Sequence, residues 1–243
     1  MMDITKNQDS AGLVFITHGL GHKKEMPWID VVSEVFQAHN FTVVKFDATN
    51  SIGESGGKLE NATPTSYYQD LEDTIEWAKK QSWYKEPFYL VGHSLGSFCS
   101  AFYFSKHSNV VKGLILLSSF ISGQLLIQSP EVKPLIEDWK KKGYREWESS
   151  TTPGVIKRLN WGHIEDSYKY DLLKETEKIN CPVLLIAGEK DETTPLEHQK
   201  LFFDKLNTQK ELHIIKGAGH TFREERELEE LGDIIEKWIN KNS

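Results

Sequence analysis

The sequence predicts an α/β protein with a mostly parallel sheet of about six strands and helices on both faces. Six short apolar runs alternate with segments of helical periodicity along the chain. Each run is apolar along its whole length, which is typical of strands that are covered on both faces. The helical segments between successive runs supply the crossover connections that parallel strands need.

The predicted strands follow one another through the whole chain. They cover residues 13–17, 41–46, 88–91, 111–117, 182–187 and 211–215. The predicted helices cover about residues 28–39, 67–81, 97–104, 198–206 and 225–241. In the first of these helices, Ile29, Val32 and Phe36 recur at helical spacing, and Leu71 and Ile75 do the same in the second.

The pattern changes between residues 118 and 180. Strand-like runs stop there, and lysine, glutamate and aromatic residues become frequent. The sequence therefore predicts a single α/β domain over residues 1–243 that carries a cap or lid insertion at about 119–180. The aromatic-rich cap is expected to form the acyl or alcohol pocket; the alternative, packing of a small cap onto the sheet, would also explain most of its aromatic residues.

Composition and charge narrow the class of protein. With 38% hydrophobic and 27% charged residues, the chain of 243 residues has the composition of an ordinary globular protein. A net charge of −7 and the lack of a basic stripe argue against a nucleic-acid or anionic-membrane partner. The lysines stand mostly beside glutamates and are interpreted as solvated helix faces.

Three features of the sequence bear on the cellular compartment, and the expectation is a cytoplasmic protein. The first ten residues contain no apolar segment of the kind found in secretory signals. No apolar run approaches the ~20 residues that a membrane span requires. Cys99 and Cys181 lie far apart in the chain and are interpreted as small buried hydrophobes rather than as a disulfide.

The strongest local signal for function is the stretch 88–97, Phe-Tyr-Leu-Val-Gly-His-Ser-Leu-Gly-Ser. An apolar strand runs into Gly92, and a helix of small and apolar residues follows Gly96. Such a strand–turn–helix places Ser94 at the apex of a strained turn, with its hydroxyl clear of the sheet. Glycine is needed two residues on either side because a Cβ atom has no room there.

Candidate partners for this serine also follow predicted strands, at the sheet edge where ligands bind in open α/β proteins. A serine hydroxyl needs a base, and the base needs a carboxylate to orient it. His220 and Asp191 supply these types in the order Ser…Asp…His. Alternatives to the acid are Glu189 and Glu192 on the same loop and, farther away, Asp47.

The remaining histidines are expected to have no role in the chemistry. His93 is expected to point away from the site because it neighbours Ser94 in the elbow. His163 is the exception worth noting, since a flexible cap could bring it near a ligand. His18 and His22 could chelate a metal only with further ligands, which the sequence does not supply, so no metal site is expected.

An attacked carbonyl develops an oxyanion, and backbone N–H groups are suitable donors for it. The elbow itself places the N–H of Leu95, and the N–H of Leu20, after His18-Gly19, is the natural second donor.

The glycine-rich run 53–58 is not a phosphate loop, because its glycine spacing is wrong and no helix-starting Ser or Thr follows Lys58. No cofactor is expected.

With these residues in place, the chain resembles the α/β-hydrolase superfamily from about residue 13 to its C-terminus. The loop 46–61 and the elbow 91–96 look most like small bacterial carboxylesterases of the cinnamoyl/feruloyl type and monoacylglycerol-lipase-like enzymes. The resemblance implies Ser94 as nucleophile, His220 as base, Asp191 as orienting acid, and the N–H groups of Leu20 and Leu95 as oxyanion donors. It implies no organic cofactor or metal.

The chain departs from this resemblance in two places. The family's loop D-x-R-G-x-G-x-S reads Asp-Ala-Thr-Asn-Ser-Ile-Gly-Glu-Ser over residues 47–55, without the arginine and with one extra residue. Asn50 stands where the first glycine is expected, and asparagine tolerates left-handed backbone. Only about a dozen residues precede the first predicted strand, so a sheet shortened at that edge is expected.

The sequence thus predicts a serine hydrolase that cleaves carboxylic esters of small molecules through an acyl-enzyme. The same residues would serve a thioesterase, a lactonase or a small-peptide hydrolase, because the triad does not choose the leaving group. A ligand-binding relative without catalysis is the alternative from another class. The oligomeric state is not predicted.

Overall fold

The computed structural model describes residues 1–7, 9–149, 154 and 156–242. The strands are β1 (Met2–Thr5), β2 (Gly12–Thr17), β3 (Phe41–Phe46), β4 (Phe88–His93), β5 (Val111–Leu117), β6 (Tyr144–Glu148), β7 (Ile156–Asn160), β8 (Val183–Gly188) and β9 (Lys210–Ile215). The helices are α1 (Pro27–Ala38), α2 (Pro64–Ala78), α3 (Leu95–Lys106), α4 (Gly123–Leu126), α5 (Ile136–Lys142), α6 (Gly162–Ser167), α7 (Leu196–Lys205) and α8 (Glu225–Asn242).

Seven strands form the central sheet in the order β1-β3-β2-β4-β5-β8-β9. All six predicted strands are present and pair in parallel. The seventh strand, β1, pairs antiparallel with β3 at the edge where a shortened sheet was expected. The α/β prediction of a mostly parallel sheet is therefore confirmed, with one strand more than the six predicted.

The inner strands β2, β3, β4, β5 and β8 are buried on both faces of the sheet, which is why they are apolar along most of their length. Successive residues of a strand point to opposite faces, so Leu13 and Phe15 of β2 belong to one core cluster, and Val14 and Ile16 to another. The first cluster includes residues of α2 and α3, and the second includes residues of α1 and α8. Helices thus cover both faces of the sheet, and Phe202 of α7 also packs in the first cluster.

Local sequence explains where α2 begins. Thr63 precedes the helix, and its hydroxyl accepts a hydrogen bond from the backbone N–H of Ser66 at 3.1 Å. The hydroxyl of Ser66 is in turn near the backbone N–H of Thr63, at 3.1 Å, so the two residues form a capping box. Pro64 occupies the first turn, where its missing N–H costs nothing.

Residues 119–180, called here the cap segment, lie in the chain between β5 and β8. They contain α4, α5 and α6, and also the antiparallel pair β6–β7 in a region where no strand was predicted. Trp139, Leu159 and Ile164 are buried in the core cluster that holds α2 and α3. The division into one domain with an inserted cap stays a prediction.

Two further expectations meet the structure directly. Cys99 and Cys181 are both buried and unbridged, as expected. The interpretation of the lysines as solvated is wrong for two of them, since Lys24 is 2% and Lys157 is 6% exposed. Among the described helices, none is both long and apolar enough to cross a membrane.

Candidate active site

Ser94 lies between the end of β4 and the start of α3, as the elbow pattern predicts. Its backbone has φ 54° and ψ −115°, a left-handed region that is strained for any residue with a side chain. A Cβ on Gly96 would overlap the carbonyl oxygen of Thr17, and one on Gly92 would overlap the backbone of Gly96. These two positions accept only glycine because strand and helix cross there in direct backbone contact.

The structure brings Ser94, His220 and Asp191 together from three different loops. Nε2 of His220 lies 3.0 Å from Oγ of Ser94. Nδ1 of the same ring lies 2.9 Å from Oδ2 of Asp191. The carboxylate is fully buried, whereas the imidazole is about one-fifth exposed, at 22%. The three groups therefore form one continuous hydrogen-bonded chain that reaches the surface at Ser94.

The loop after β8 holds Asp191 in the charged form. Burial disfavours the charge, but the neighbouring His220 and hydrogen bonds outweigh this and keep the pKa of Asp191 well below its usual value. The backbone N–H groups of Thr193 and Thr194 donate to Oδ1 at 2.9 and 2.8 Å. The hydroxyl of Thr194 donates to Oδ2 at 2.8 Å. The carboxylate is thus fixed in position as well as in charge.

The alternative acids have other partners. Glu189 accepts a hydrogen bond from the backbone N–H of Gly217 at 2.8 Å. Asp47 accepts bonds from the backbone N–H groups of Lys24 and Glu54, at 2.8 and 2.9 Å. Glu192 is exposed. Of these four carboxylates, all among the described residues, Asp191 is the one that contacts the ring of His220.

His93 lies against His220 instead of pointing away from the site, so that expectation is wrong. Its Nε2–H donates to the carbonyl oxygen of His220 at 2.7 Å, and the two ring centroids are 4.9 Å apart. Burial and the charge of His220 lower the pKa of His93 to about 3, so the ring is neutral at ordinary pH. His93 therefore supports the loop that carries His220.

The turn after β2 packs against the elbow. A Cβ on Gly19 would lie 2.8 Å from Nδ1 of the buried His93 and 3.2 Å from the Cβ of Ser94, so the close approach of this turn favours glycine. Leu20 and Leu95 both line the cavity into which Ser94 opens. The two predicted oxyanion donors are therefore on the walls of the same cavity.

His18 and the acidic groups near it have hydrogen-bond partners within the protein. Nδ1–H of His18 donates to the carbonyl of Gly19 at 2.8 Å, and its Nε2 accepts from the N–H of Ala48 at 3.0 Å. Both ring nitrogens of His18 therefore have hydrogen-bond partners, and neither is available to bind a metal ion. The carboxylates of Glu25, Asp47 and Glu54 lie close enough together for a metal ion. The ammonium of the buried Lys24 is bonded to all three of them, however, and supplies the positive charge.

The altered loop after Asp47 keeps its turn. Asn50 adopts the left-handed conformation, with φ 63°. Its side-chain oxygen accepts a hydrogen bond from the backbone N–H of Lys58 at 2.9 Å, which closes the loop. The hydroxyl of Ser55 donates to the carbonyl of Asp47 at 2.6 Å. The asparagine thus takes the place that the family pattern gives to glycine.

The cavity at Ser94 has a volume of about 500 Å³, within the range of small-molecule sites. Its apolar wall includes Phe120, Leu126, Val132, Trp139, Trp147 and Leu159. His163 also lines it, as the sequence analysis allowed. Most of this wall comes from the cap segment, so the cap faces the serine.

Sequence reasoning missed the charged residues of this cavity. Lys157, Arg223, Arg145 and Glu131 all line it. Arg145 pairs with Glu131 at 3.1 Å, and the hydroxyl of Thr193 also donates to Glu131. No motif marks these positions, because they meet only through the packing of the cap segment on the sheet.

Comparison with known proteins places the chain in a family. A family model described as Hydrolase_4, serine aminopeptidase S33, matches residues 8–160 and 158–227. The chain belongs to the Hydrolase_4 (S33) family. It is thus an α/β hydrolase, and the resemblance stated from its motifs is confirmed.

Several other proteins are similar to nearly the whole chain. The palmitoyl-protein thioesterase ABHD10, mitochondrial, of Bos taurus is 24% identical over 96% of this chain and 74% of its own length. A monoglyceride lipase homolog of Monkeypox virus is 24% identical over 93% of this chain and 88% of its own. The structure of Est1E from Butyrivibrio proteoclasticus with bound ferulic acid covers 100% of this chain and 94% of its own, with TM-score 0.79 and 19% identity.

Proposed function

We propose that this protein hydrolyses carboxylic esters through an acyl-enzyme on Ser94. The observation that carries the proposal is the hydrogen-bonded chain from Ser94 through His220 to Asp191, which ends at a cavity of about 500 Å³. The hydrolase family supports the general reaction. The ester as substrate is the finer step that we add.

In the first half-reaction, Oγ of Ser94 attacks the ester carbonyl carbon and its proton moves to Nε2 of His220. Asp191 fixes the tautomer of His220, with the proton on Nδ1, and stabilises the imidazolium that forms. The carbonyl π electrons become an oxyanion, which accepts hydrogen bonds from the backbone N–H groups of Leu20 and Leu95. When the intermediate collapses, His220 returns the proton to the departing alcohol.

In the second half-reaction, a water molecule takes the place of the alcohol. His220 accepts a proton from this water as it attacks the acyl carbon of the Ser94 ester. The same two N–H groups hold the second oxyanion. The carboxylic acid leaves, and Ser94 recovers its proton from His220. His93 takes no part in these transfers, because its ring is neutral and bonded to the backbone of His220.

Thioester hydrolysis is the second candidate, and the relatives favour it. Curated relatives from several mammals carry the name palmitoyl-protein thioesterase. A thiolate is a better leaving group than an alkoxide, so the mechanism above applies with less need for protonation by His220. A lactonase would use the same steps with the alcohol still attached to the acyl group.

Aminopeptidase activity is disfavoured by the charges of the cavity. An α-amino group needs a carboxylate partner, and Glu131 is already bonded to Arg145 and Thr193.

A binding protein without catalytic activity is the alternative with less support. Binding alone would not require a serine, an imidazole and a carboxylate joined by hydrogen bonds.

The first experiment is labelling with a fluorophosphonate probe, read by intact mass. Wild-type protein is expected to gain one probe per chain, because only a serine activated by its neighbours reacts readily. Ser94→Ala should gain none and His220→Ala should lose nearly all labelling. Ser105→Ala, at the far end of α3, is the matched control and should label like the wild type.

Ester and thioester substrates then separate the two candidate functions. Ethyl butyrate and ethyl thiobutyrate share one acyl group, so the ratio of their kcat/KM values reports the leaving group alone. Folded wild-type protein that takes no label and cleaves neither compound would contradict the proposal and favour the binding protein.

A further inference from the structure

Lys157 is a buried cation without a carboxylate partner. It lies on β7, where exposed and buried residues alternate, and its side chain is on the buried side. Its ammonium donates to the carbonyl oxygen of Gly21 at 2.8 Å. It has no ion pair with any described residue. A buried ammonium carries three donors and a full charge, so one neutral partner leaves most of its bonding capacity unused.

A second cation lies on the same cavity wall. Arg223 follows His220 by three residues and lines the cavity together with Lys157. Burial, and next the positive charge of Arg223, lower the pKa of Lys157. Both cations thus line one cavity, and the positive charge of Arg223 acts on Lys157. Glu131, the carboxylate among the described lining residues outside the triad, is already engaged with Arg145.

His22 adds an unused polar group to this wall. The residue is 8% exposed, and its Nδ1 is buried without a hydrogen-bond partner among the described residues. Its ring lies 5.6 Å from the ring of His93 and also lines the cavity. A buried polar atom without a partner is costly and marks a place where a ligand can bond.

We propose that Lys157, together with Arg223 and His22, binds a carboxylate carried by the substrate, so that the preferred substrates are monoesters or monothioesters with a free acid group. This inference rests on the proposed function for the location of the reacting bond. A carboxylate would accept a hydrogen bond from the ammonium of Lys157 and reduce its repulsion with Arg223. The apolar wall of the cap segment would hold the chain between the acid and the ester.

The bond to Gly21 supports a different role that must be separated from this one. Gly21 follows Leu20, so Lys157 could act only as a strap that positions the oxyanion donor. A strap would affect all esters equally, whereas a carboxylate site would affect only substrates with an acid group. The test therefore measures a ratio between two matched substrates.

Monoethyl glutarate and ethyl pentanoate form the first pair, because they differ in whether the acyl chain ends in a carboxylate or a methyl group. A second pair, 3-(butyryloxy)propanoate and propyl butyrate, places the carboxylate on the alcohol. In one pair, wild-type kcat/KM is expected to favour the acid by about tenfold or more, which is typical of a charge-assisted hydrogen bond. That pair shows on which side of the scissile bond the site lies.

Lys157→Met should reduce the preference by about tenfold, and Lys157→Arg should retain most of it because the charge remains. Arg158→Met is the matched control, since Arg158 is the next residue of β7 and its side chain stacks on Tyr144 at 3.7 Å instead. It removes the same charge and should leave the ratio unchanged. Equal losses for both substrates in Lys157→Met would overturn the proposal in favour of the strap.

A binding measurement keeps this inference separate from the proposed function. Calorimetry with Ser94→Ala protein, which cannot turn over its ligand, should show tighter binding of monoethyl glutarate than of diethyl glutarate. Lys157→Met in the same background should remove the difference. Equal affinities would overturn the carboxylate site even if the ester hydrolysis itself is established. If the acid binds more tightly but the wild-type protein hydrolyses none of the esters, the carboxylate site is supported and the proposed esterase function is contradicted.

Discussion

Ser94 combines a strained backbone with a simple chemical task. A positive φ costs free energy in any residue with a side chain, and the surrounding contacts must hold it. Here the backbone N–H of Ser94 donates to the carbonyl of Leu117 at 2.8 Å. The glycines at 92 and 96 let β4 and α3 approach without side chains between them. The strain is thus held by the sheet and is not an isolated feature of the loop.

Gly96→Ala should be strongly destabilising because the added Cβ would overlap the carbonyl of Thr17, a backbone atom of a central strand. We expect a loss of about 3 kcal/mol or more in the free energy of unfolding, as for severe overpacking. Urea denaturation measures it. Gly162→Ala is the control, since a Cβ there meets nothing within 4 Å. It should be neutral or slightly stabilising, and equal effects of the two changes would contradict the packing argument.

Individual residues were predictable from the sequence where strand ends mark them. Ser94, Asp191 and His220 each follow an apolar run, and parallel strands bring such positions to one edge. Lys157 was not predictable, because a lysine in a polar segment looks like any solvated lysine. Its burial depends on how the cap segment packs, which no local pattern encodes. The same holds for Lys24, whose ammonium is bonded to the neighbouring Glu25 and to two carboxylates of the loop after β3, Asp47 and Glu54.

At the level of elements, predictability follows the number of buried faces. The strands covered on both faces are mostly apolar and were all predicted, as was the edge strand β9, whose apolar residues are fewer. β1 has only four residues at the sheet edge and alternates between partly buried and exposed. β6 and β7 are polar strands that pair only with each other. Their short alternation among charged residues is too weak a signal to separate from a helix or a loop.

A few polar contacts join the cap segment to the rest of the molecule. The carboxylate of Asp166, in α6, accepts hydrogen bonds from the backbone N–H and the hydroxyl of Thr65, at 2.8 and 2.9 Å. Thr65 is in the first turn of α2, where a negative charge is also favoured by the helix dipole. Asp166 is 7% exposed. This contact therefore connects the cap to a helix that packs on the sheet.

Asp166→Ala should lower the free energy of unfolding by about 1–3 kcal/mol, since it leaves the donors of Thr65 without their charged acceptor. Amide hydrogen exchange should also speed up in α6, because the element loses its link to α2. Asp138→Ala is the control within the same segment. Asp138 is exposed and pairs with Lys142 one turn away, so its loss should cost only about 0.5 kcal/mol. Unchanged exchange in α6 would argue against the link.

For the whole molecule, net charge and local charge point in opposite directions. The chain carries −7 in total, yet Lys157 and Arg223 give the cavity a positive wall. The field of the net charge acts on a ligand from a distance, and salt at moderate concentration screens it beyond about 10 Å. A ligand inside the cavity instead contacts the charged side chains of the wall directly. The negative net charge argues against a nucleic-acid partner. It does not argue against the binding of a small acidic molecule inside the cavity.

Stability should depend on pH through buried histidines that stay neutral in the folded state. Burial lowers the pKa of His163 from its usual 6.5 to about 4, and its Nδ1–H donates to the carbonyl of Ala62 at 3.0 Å. Below pH 6.5 the unfolded chain binds a proton at this site and the folded protein does not. The free energy of unfolding therefore falls as pH drops from about 6.5 to 4, by up to about 1.4 kcal/mol per pH unit from this residue.

The contribution of His163 can be isolated by the slope of stability against pH. His93, with its pKa lowered to about 3, adds a similar slope over a wider range. His163→Gln removes the proton that this histidine takes up on unfolding. Urea unfolding between pH 6 and 4.5 should therefore show a free energy of unfolding that changes less steeply with pH than in the wild type, by the equivalent of about one proton. Between pH 7.5 and 8.5 the two slopes should coincide, because neither state is protonated at this site; this is the internal control. Equal slopes in the acidic range would mean that His163 is protonated in the folded protein as well as in the unfolded chain. The folded cap segment would then tolerate a charged imidazolium beside the cavity.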